Sequence, residues 1–291
     1  INNFLKMFFP AGFYYKTFMW PPSFWYKIYE PFIRMAAGFG EASIKHDKER
    51  YEHKYEYCDL LVTGSGPSGL ASAYAAAKNG ARVILAEDKP RYGGSLLTSD
   101  VNIGNQTGVE WSEKIIAELK SMSNVTVKNR SQVFGYYDHN MLVMSERISD
   151  HLPKTQKYLP KQRLWYIRAN EVLISSGSIE RPLVFGNNDT PGVMLSSAAK
   201  EYMKVYGVLV GKKPLIFTNN DSGYETAIEF KKNGVNPLIL DTRKEPSSDI
   251  INEAKNLNIE IKFSHVVVAA KGYKKVKSAD ISKISDDKKE L

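Results

Sequence analysis

Apolar residues run almost without interruption from Tyr57 to Thr63, which is the length of a buried β-strand. A glycine-rich loop follows, and the next segment, Leu70 to Lys78, is rich in alanine where a helix would pack against a sheet. Ala81 to Glu87 is the second apolar run, and it is continuous rather than alternating, as in a parallel strand covered on both faces. The pattern therefore predicts a strand–helix–strand unit.

The hydrophobic pattern predicts further elements beyond this unit. An amphipathic helix at 110–122 precedes a series of strands: 125–128, 131–137, an antiparallel pair at 141–145 and 163–168, and a buried parallel strand at 171–175. A helix is predicted next, at 196–206. A second strand–helix–strand pattern follows it, with a strand at 214–218, a helix at 223–233 and a strand at 235–241. The chain is thus predicted to hold two units of one kind, the second placed after a strand of the first.

The first 40 residues are unusually rich in Phe, Tyr and Trp. Four prolines here exclude one long helix, so we expect an irregular arm with one short helix around Trp25 to Ala37. Its rings would be buried against another domain or subunit, or against the sheet of their own domain. Lysines and a Pro–Pro pair interrupt the segment well before ~18 uncharged residues, so no membrane span is expected. The charge-rich residues 41–56 are predicted to be a linker.

Composition narrows the function classes. At 291 residues the chain exceeds what one core usually organises, and its composition is that of a soluble globular protein, for which we expect a cytoplasmic location. The formal net charge is +8, but acidic residues interrupt the C-terminal lysines, so a solvated tail and no nucleic-acid partner are predicted. Because Cys58 is the one cysteine and the histidines lack metal-ligand spacing, neither a disulfide within the chain nor a metal site is predicted.

The loop after the first strand has the sequence GSGPSG, Gly64 to Gly69. Gly64 would allow the tight turn, Gly66 would let a pyrophosphate approach the backbone, and Gly69 would let the helix pack on the strand. Phosphates would then lie at the positive end of the helix, where Pro67 fits because its missing N–H is not needed. We predict a dinucleotide site here; the alternative is a glycine-rich turn in a vestigial fold.

An acidic side chain stands where the adenosine ribose is expected. Glu87 ends the second strand, where a carboxylate can accept hydrogen bonds from both ribose hydroxyls and favours NAD or FAD over NADP. Lys89 and Arg91 follow closely and leave NADP as a minor alternative, because a 2′-phosphate would need such charges. The small loop Gly93–Gly94–Ser95 is close enough along the chain for Gly94 and Ser95 to approach the same cofactor.

The second unit keeps the spacing of the first but not its loop glycines. Thr218 and Asn220 stand at the first two glycine positions, whereas Gly223 and Asp241 preserve the third glycine and the acid. A Cβ atom at 218 and 220 should crowd a pyrophosphate, so we expect this unit to keep the fold without binding a dinucleotide in the usual way; another mode of nucleotide binding stays open. Two such units, the second inserted in the first, predict an α/β fold of the FAD/NAD-linked reductase type with an aromatic N-terminal arm.

The predicted boundaries are 1–56 for the arm and linker, 57–207 for the first Rossmann-like domain, 208–285 for the second, degenerate one and 286–291 for a tail. Between the units, Leu173 to Pro182 is similar to the ATGxxxRP stretch of flavoprotein reductases, where the chain crosses close to the cofactor. Its candidate contacts are Ser176, Gly177 and Ser178. No pairing of nucleophile and base, of two acids or of two redox cysteines predicts a catalytic residue in this chain.

Five segments together resemble the alpha subunit of heterotetrameric sarcosine oxidases: MFFPAGFYYKTFMWP, GSGPSGLASAYAAAKNGARVILAED, GGSLL, VFGYYDHN and IERPLVFGNNDTPGVM. The resemblance spans nearly the whole chain, and the aromatic arm is its least widely shared part. It implies an oxidoreductase acting on CH–NH groups, completed by beta, gamma and delta subunits. The implied reaction converts sarcosine, O2 and tetrahydrofolate to glycine, methylenetetrahydrofolate and H2O2.

The resemblance also implies where the cofactors lie. This chain would hold NAD through Ser68, Glu87, Asp88, Lys89, Ser95 and Val133. FAD and a covalently linked FMN would belong to the beta subunit and its interface, and tetrahydrofolate to a C-terminal domain of the alpha subunit. Because the chain starts with Ile and lacks the family's ferredoxin-like and folate-binding domains, we expect a fragment that is inactive by itself.

Other functions stay open on the residues alone. An independent FAD-dependent oxidoreductase would hold FAD at the first glycine loop and receive NAD(P)H at the second unit. Related amine and opine dehydrogenase subunits share the same Rossmann elements. A noncatalytic scaffold would bind the dinucleotide only for folding and subunit contacts.

Overall fold

The computed structural model of this chain describes residues 18, 20–40, 42–153 and 158–285. It separates into two compact units, residues 1–49 and residues 50–291. The larger unit contains both predicted strand–helix–strand patterns. The tail predicted at 286–291 lies outside the described residues, as does most of the aromatic segment before residue 20.

The described part of the smaller unit is mainly a short helical segment. A 3-10 turn at Pro22–Phe24 leads into a π-helical turn at Trp25–Tyr29 and then into helix α1, Glu30–Ala36. This confirms the short predicted helix, with Pro31 in its first turn, where a missing N–H costs no hydrogen bond. Among the described aromatic residues of this unit, the most exposed are Trp20, Tyr26 and Phe39. Their burial against another domain or subunit stays a prediction.

The larger unit begins with a six-stranded sheet and a small hairpin. The strands are β1 Tyr51–Thr63, β2 Val83–Ala86, β3 Asn102–Ile103, β4 Gln106–Thr107, β5 Val125–Lys128, β6 Ser131–Tyr137, β7 Met141–Arg147 and β8 Gln162–Ile174. In the order β5-β2-β1-β8-β7-β6 the first four strands are parallel, and β7 and β6 are antiparallel additions; β3 and β4 form the hairpin. The parallel core is the first predicted unit.

Two helices complete this core. Helix α2, Pro67–Lys78, follows β1, and helix α3, Gly108–Ser121, starts at a capping box between Thr107 and Glu110. One buried cluster lies between these helices and the sheet: Val62, Leu70, Ala73, Leu85, Ile116 and Leu119 are among its members. A second cluster joins strands of the same sheet: Cys58, Leu61, Ile84, Met144, Trp165 and Ile167 are among its members. Apolar burial by both clusters explains the continuous apolar pattern of β1 and β2.

Strand β1 starts at Tyr51, so the linker predicted to extend to residue 56 is wrong for residues 51–56. These residues pair with the beginning of β8, from Tyr51 opposite Gln162 onward. Most of them are exposed, so they do not show the apolar pattern by which a buried strand is recognised.

The strands predicted separately at 163–168 and 171–175 are one strand, β8. Asn170 lies between the two predicted segments. In the structure its side chain accepts a hydrogen bond from the Tyr57 hydroxyl at 2.8 Å and donates to Asp59 at 3.2 Å. Because neighbouring polar groups satisfy it, the strand continues through this position.

The second predicted unit is also present. Its elements are helix α4 Ser196–Tyr206, β9 Leu215–Thr218, helix α5 Ser222–Lys232, β10 Leu238–Asp241, helix α6 Asp249–Asn256 and β11 Glu260–Phe263. Ala199 and Met203 of α4 lie in the core of this unit, so the boundary predicted after residue 207 is wrong for this helix. The strands form a parallel sheet in the order β11-β10-β9 with its own core, and a hairpin of β12 His265–Gly272 and β13 Val276–Lys283 follows. Strand β10 begins only after Pro237, which has no N–H to donate to a neighbouring strand.

The burial of Cys58 leads to a test of the first core. Cys58 exposes 1% of its surface, and burial, together with Asp59 and Glu56, raises the pKa of its thiol to about 12. Because the thiolate is the reactive form, the folded protein should not react with an aromatic disulfide reagent at pH 8. One thiol per chain should react once a denaturant is added. Rapid reaction without denaturant would contradict this burial.

Candidate functional site

Two of the three loop glycines are required by the packing of the chain itself. Gly64 has a φ of +98°, and a Cβ atom there would lie 2.4 Å from the carbonyl oxygen of Ser175, just after β8. A Cβ atom at Gly69 would lie 2.0 Å from the carbonyl oxygen of Gly64. A side chain at either position would therefore force apart the ends of β1 and β8 and the start of α2.

Gly66, the middle glycine, has open space in front of it. A Cβ atom there would meet no atom within 4 Å, and its φ of −67° suits any residue, so packing does not require a glycine. Gly66 is also the N-cap of α2, and the first helical hydrogen bond runs from the Leu70 amide to its carbonyl. The amides of Ser68 and Gly69 precede that bond, and Pro67 and Ser68 are exposed. This arrangement fits a loop that receives phosphates.

The second glycine loop contacts the first. The Gly93 amide donates to the Ser65 carbonyl oxygen at 3.0 Å. A Cβ atom at Gly94, whose φ is +54°, would lie 2.7 Å from the Cα of Gly66. Ser95 is the next residue, and it is exposed within a 3-10 turn at Gly94–Leu97. The predicted residues Gly94 and Ser95 are thus brought to the edge of the phosphate loop.

Glu87 is a buried acid directly after β2 and exposes 6% of its surface. Its Oε2 accepts hydrogen bonds from the Ser65 amide at 2.9 Å and from the Ser65 hydroxyl at 2.5 Å. Its Oε1 accepts from the Lys89 amide at 3.0 Å and keeps acceptor capacity for a ribose hydroxyl. Ser65 was not predicted as a site residue, although its place between two glycines is the signal that could have identified it.

The residues predicted from the resemblance lie around this acid. Asp88 and Lys89 follow Glu87 directly and are exposed. Val133 lies in β6 beside a β-bulge and is partly buried against the second core. The Ser131 amide at the start of β6 donates to the Glu87 carbonyl oxygen at 2.7 Å, so β6 begins next to the acid.

The segment after β8 reaches the same edge of the sheet. The Ser175 amide donates to the Thr63 carbonyl oxygen at 2.8 Å, and Ser176 and Gly177 follow as exposed residues. The hydroxyl of Ser175 is buried and has no hydrogen-bond partner among the residues that the structure describes. A buried hydroxyl of this kind needs a partner, which a bound group or an ordered water would supply. The predicted contact residues therefore lie around the carboxyl ends of β1, β2 and β8, where ligands bind in open α/β sheets.

The corresponding loop in the second unit is filled by its own side chains. The Thr218 hydroxyl donates to the Asn220 carbonyl oxygen at 2.8 Å and accepts from the Asn220 amide at 3.2 Å. A Cβ atom at Gly223 would lie 2.8 Å from the Cβ of Thr218, so the packing glycine is still required. The Asn220 side chain accepts from the Ser222 amide at 2.9 Å, at the start of α5. Side chains thus stand at two of the positions where the first loop has glycines, and the loop makes hydrogen bonds within itself.

Asp241, the acid of the second unit, is paired with side chains of the same unit. Asp241 is fully buried, and its carboxylate accepts hydrogen bonds from the Arg243 guanidinium at 3.0 and 2.8 Å and from the Tyr224 hydroxyl at 2.7 Å. Hydrogen bonds to Asp241 raise the pKa of Arg243, and the Arg243 hydrogen bond lowers the pKa of Asp221, which lies 2.8 Å from the guanidinium. Where a ribose would bind, the second unit therefore holds an arginine.

A large cleft lies in the second unit rather than at the intact loop. Its volume is about 1060 Å³, and it lies between the loop after β9 and the β12–β13 hairpin. Thr218 and Asn220 line it, so the contacts within this loop leave a space beside the loop, and another mode of nucleotide binding there stays a prediction. The Gly64–Gly69 loop is not among the residues that line this cleft. No group of three or more His, Cys, Asp or Glu side chains within the described ranges is placed to hold a metal ion. None of the described helices has both the length and the apolar composition needed to cross a membrane.

Sequence comparisons connect this site to known oxidoreductases. The family described as FAD dependent oxidoreductase matches residues 59–145, which span both glycine loops, Glu87 and Val133. The sarcosine oxidase subunit alpha of Rhizobium meliloti (strain 1021) is 43% identical, over 97% of this chain and 28% of that protein. The sarcosine oxidase subunit alpha of Corynebacterium sp. (strain P-1) is 35% identical, over 79% of this chain and 24% of that protein. The chain therefore spans about a quarter of the length of these relatives.

A solved structure supports the fold. Thioredoxin reductase from T. acidophilum superposes with a TM-score of 0.57 at 17% identity, over 77% of this chain and 70% of that chain. At this level of identity, the likeness shows the fold alone. The predicted α/β fold of the FAD/NAD-linked reductase type is confirmed.

The closed second unit generates a prediction about stability. Arg243→Met leaves the fully buried Asp241 without its cationic partner, while the Arg243 side chain itself is 31% exposed and can be replaced in part by water. We therefore expect the free energy of unfolding of the ligand-free protein, measured by urea denaturation, to fall by about 2 kcal/mol. The bound dinucleotide per chain should not change.

Lys89→Met is the matched control, because Lys89 holds the equivalent position in the first unit. Its ion pair with Glu201 is exposed, so its removal should lower the free energy of unfolding by less than about 1 kcal/mol. Equal losses in the two variants would contradict the difference between the two units.

Proposed function

We propose, from the homology of this chain to sarcosine oxidase alpha subunits along nearly its whole length, that it is the NAD-holding part of such a subunit. The whole enzyme would convert sarcosine, O2 and tetrahydrofolate to glycine, methylenetetrahydrofolate and H2O2. The asymmetry between the two units carries the proposal. The first unit keeps free space at Gly66 and an acid held by uncharged donors, whereas in the second unit Thr218 hydrogen-bonds to Asn220 and Arg243 pairs with the acid. One dinucleotide per chain is therefore expected.

Each part of the dinucleotide has a counterpart in the first unit. The pyrophosphate would accept hydrogen bonds from amides at the start of α2, such as that of Ser68, and its charge would be favoured by the helix dipole. Glu87 would accept the hydroxyls of the adenosine ribose, with its orientation held by Ser65. The buried Ser175 hydroxyl would donate to the ligand or to a bridging water.

The choice of NAD over FAD rests on the resemblance, because an acid after β2 suits the adenosine ribose of either ligand. When bound, NAD supplies a nicotinamide ring that can accept a hydride. We assign the oxidation of the amine to FAD and FMN on the beta subunit and its interface, and the one-carbon transfer to a folate-binding domain. The partners would be beta, gamma and delta subunits, and the location would be the cytoplasm.

The contacts at Thr218 and Asp241 argue against an independent FAD-dependent oxidoreductase that binds NAD(P)H at the second unit in the usual way. Such an enzyme would receive NAD(P)H where Thr218 closes the loop and Arg243 covers Asp241. A noncatalytic scaffold would hold the same dinucleotide as the proposed subunit. The homology to an oxidase subunit favours the catalytic assembly over the scaffold.

The identity of the ligand tests the proposal. The purified protein is heated, and the released compound is identified by its absorbance spectrum and mass. We expect NAD, at about one molecule per chain. A yellow protein that releases FAD would contradict the proposal and favour the independent oxidoreductase.

A second test separates the loop glycines by role. Gly66→Val should fold normally, because its Cβ meets no atom within 4 Å and its φ is not left-handed, yet it should lose at least about 90% of the bound dinucleotide by blocking the phosphates. Gly64→Val should instead fail to fold stably, because its Cβ would lie 2.4 Å from a backbone oxygen. Circular dichroism and the ligand content per chain measure the two effects.

Asn220→Val is the matched control in the second unit. It removes a side-chain acceptor at the start of α5 and should cost about 1 kcal/mol of stability while leaving the dinucleotide content unchanged. Equal loss of ligand from Gly66→Val and Asn220→Val would refute the roles assigned to the two loops.

A further inference from the structure

One ion pair joins the second unit to the adenosine end of the proposed site. The Nζ of Lys89 lies 2.7 Å from the Oε1 of Glu201 on helix α4. The Lys89 amide donates to Glu87 at the same time. Lys89 therefore contacts the ribose-binding acid through its backbone, while its side chain is held by an acid of another element.

The second unit shows what a cation does at this position when its side chain reaches the acid. The main-chain amide of Arg243 donates a hydrogen bond to the Asp241 carboxylate at 2.9 Å, and that of Lys89 donates one to the Glu87 carboxylate at 3.0 Å. The guanidinium of Arg243 then folds back onto the carboxylate of Asp241. The backbone contact is thus the same in both units, and the direction of the side chain differs.

Helix α4 is held in place by further ion pairs. Lys204, one turn after Glu201, forms an ion pair with Asp100, which follows the second glycine loop. The Nζ of Lys204 also lies 3.1 Å from the Oε2 of Glu229 on α5. Asp100 also lies 3.2 Å from Lys232 on α5. These contacts fix the position of Glu201 relative to the first unit.

The direction of Lys89 matters for the choice of dinucleotide. The 2′-phosphate of NADP would replace the ribose hydroxyl that Glu87 is expected to bind, so it would meet a carboxylate. A lysine that swung back toward this phosphate would offset the repulsion. Burial lowers the pKa of Lys89 and the Glu201 hydrogen bond raises it, with a net rise, so the side chain stays charged and paired.

We propose that Glu201 is a specificity-determining residue that makes the first unit reject NADP by holding Lys89 away from the adenosine ribose. The inference rests on the proposed function, because it needs an adenine dinucleotide at this site. It gives helix α4, which belongs to the closed second unit, a part in the selectivity of the open first unit.

The test is a competition between NAD and NADP on the full protein, in the oligomeric form in which it is isolated. The protein is equilibrated with both nucleotides, and the ratio retained after gel filtration is measured by mass spectrometry. Glu201→Gln keeps the size of the side chain and removes its charge, so retained NADP relative to NAD should rise about twofold to fivefold at low ionic strength. The gain should shrink as salt is added.

Two variants show whether the gain acts through Lys89. Glu225→Gln is the matched control. Glu225 pairs with Lys200 on α4 rather than with Lys89, so this substitution should leave the ratio of NADP to NAD unchanged. The double variant Lys89→Met, Glu201→Gln should lose the gain. A gain that persists in the double variant, or no gain in Glu201→Gln, would overturn the proposal.

Failure of the proposed function has a different result. If the protein retains FAD and neither NAD nor NADP, the NAD-holding function is wrong and the assignment of Glu201 falls with it. If the unaltered protein retains NAD and every variant retains the same ratio of nucleotides, the proposed function stands and only the assignment of Glu201 is wrong.

Discussion

The close backbone crossing at the end of β1 is the constraint on which the rest of the structure depends. There the turn after β1, the first turn of α2 and the residue after β8 meet with no room for a Cβ atom at Gly64 or Gly69. This packing holds three segments at one edge of the sheet, and so sets where Glu87 and the second glycine loop lie. Gly66 lies between these two positions, and a Cβ atom there would meet no atom within 4 Å.

The two units show how one backbone plan leads to opposite outcomes. Both place an acid at the end of the second strand, and in both a main-chain amide two residues later donates to that acid. The two units differ in the side chain that contacts the acid. Ser65 supplies uncharged donors to Glu87, whereas Arg243 places a full positive charge on Asp241. The second unit thus keeps the backbone plan and a core of its own, while the contacts of its loop and of its acid differ from those of the first unit.

The parts of the site that could be predicted are those that depend on local backbone properties. Tight turns, strand ends and helix starts leave glycines and an acid at fixed spacings, which identified Gly64, Gly69 and Glu87. The contacts of Ser175 and Glu201 could not be predicted, because they depend on which distant segments meet in the folded chain. The start of β1 was missed because most of residues 51–56 are exposed. An exposed strand segment is held by main-chain hydrogen bonds to its neighbour and carries no apolar pattern.

The arginine on Asp241 has a consequence for how the protein responds to its surroundings. A site that is filled by a residue of its own chain has a constant occupant, at an effective concentration that free metabolites do not match. The buried charge of Asp241 is therefore compensated from within the chain, without any bound ligand.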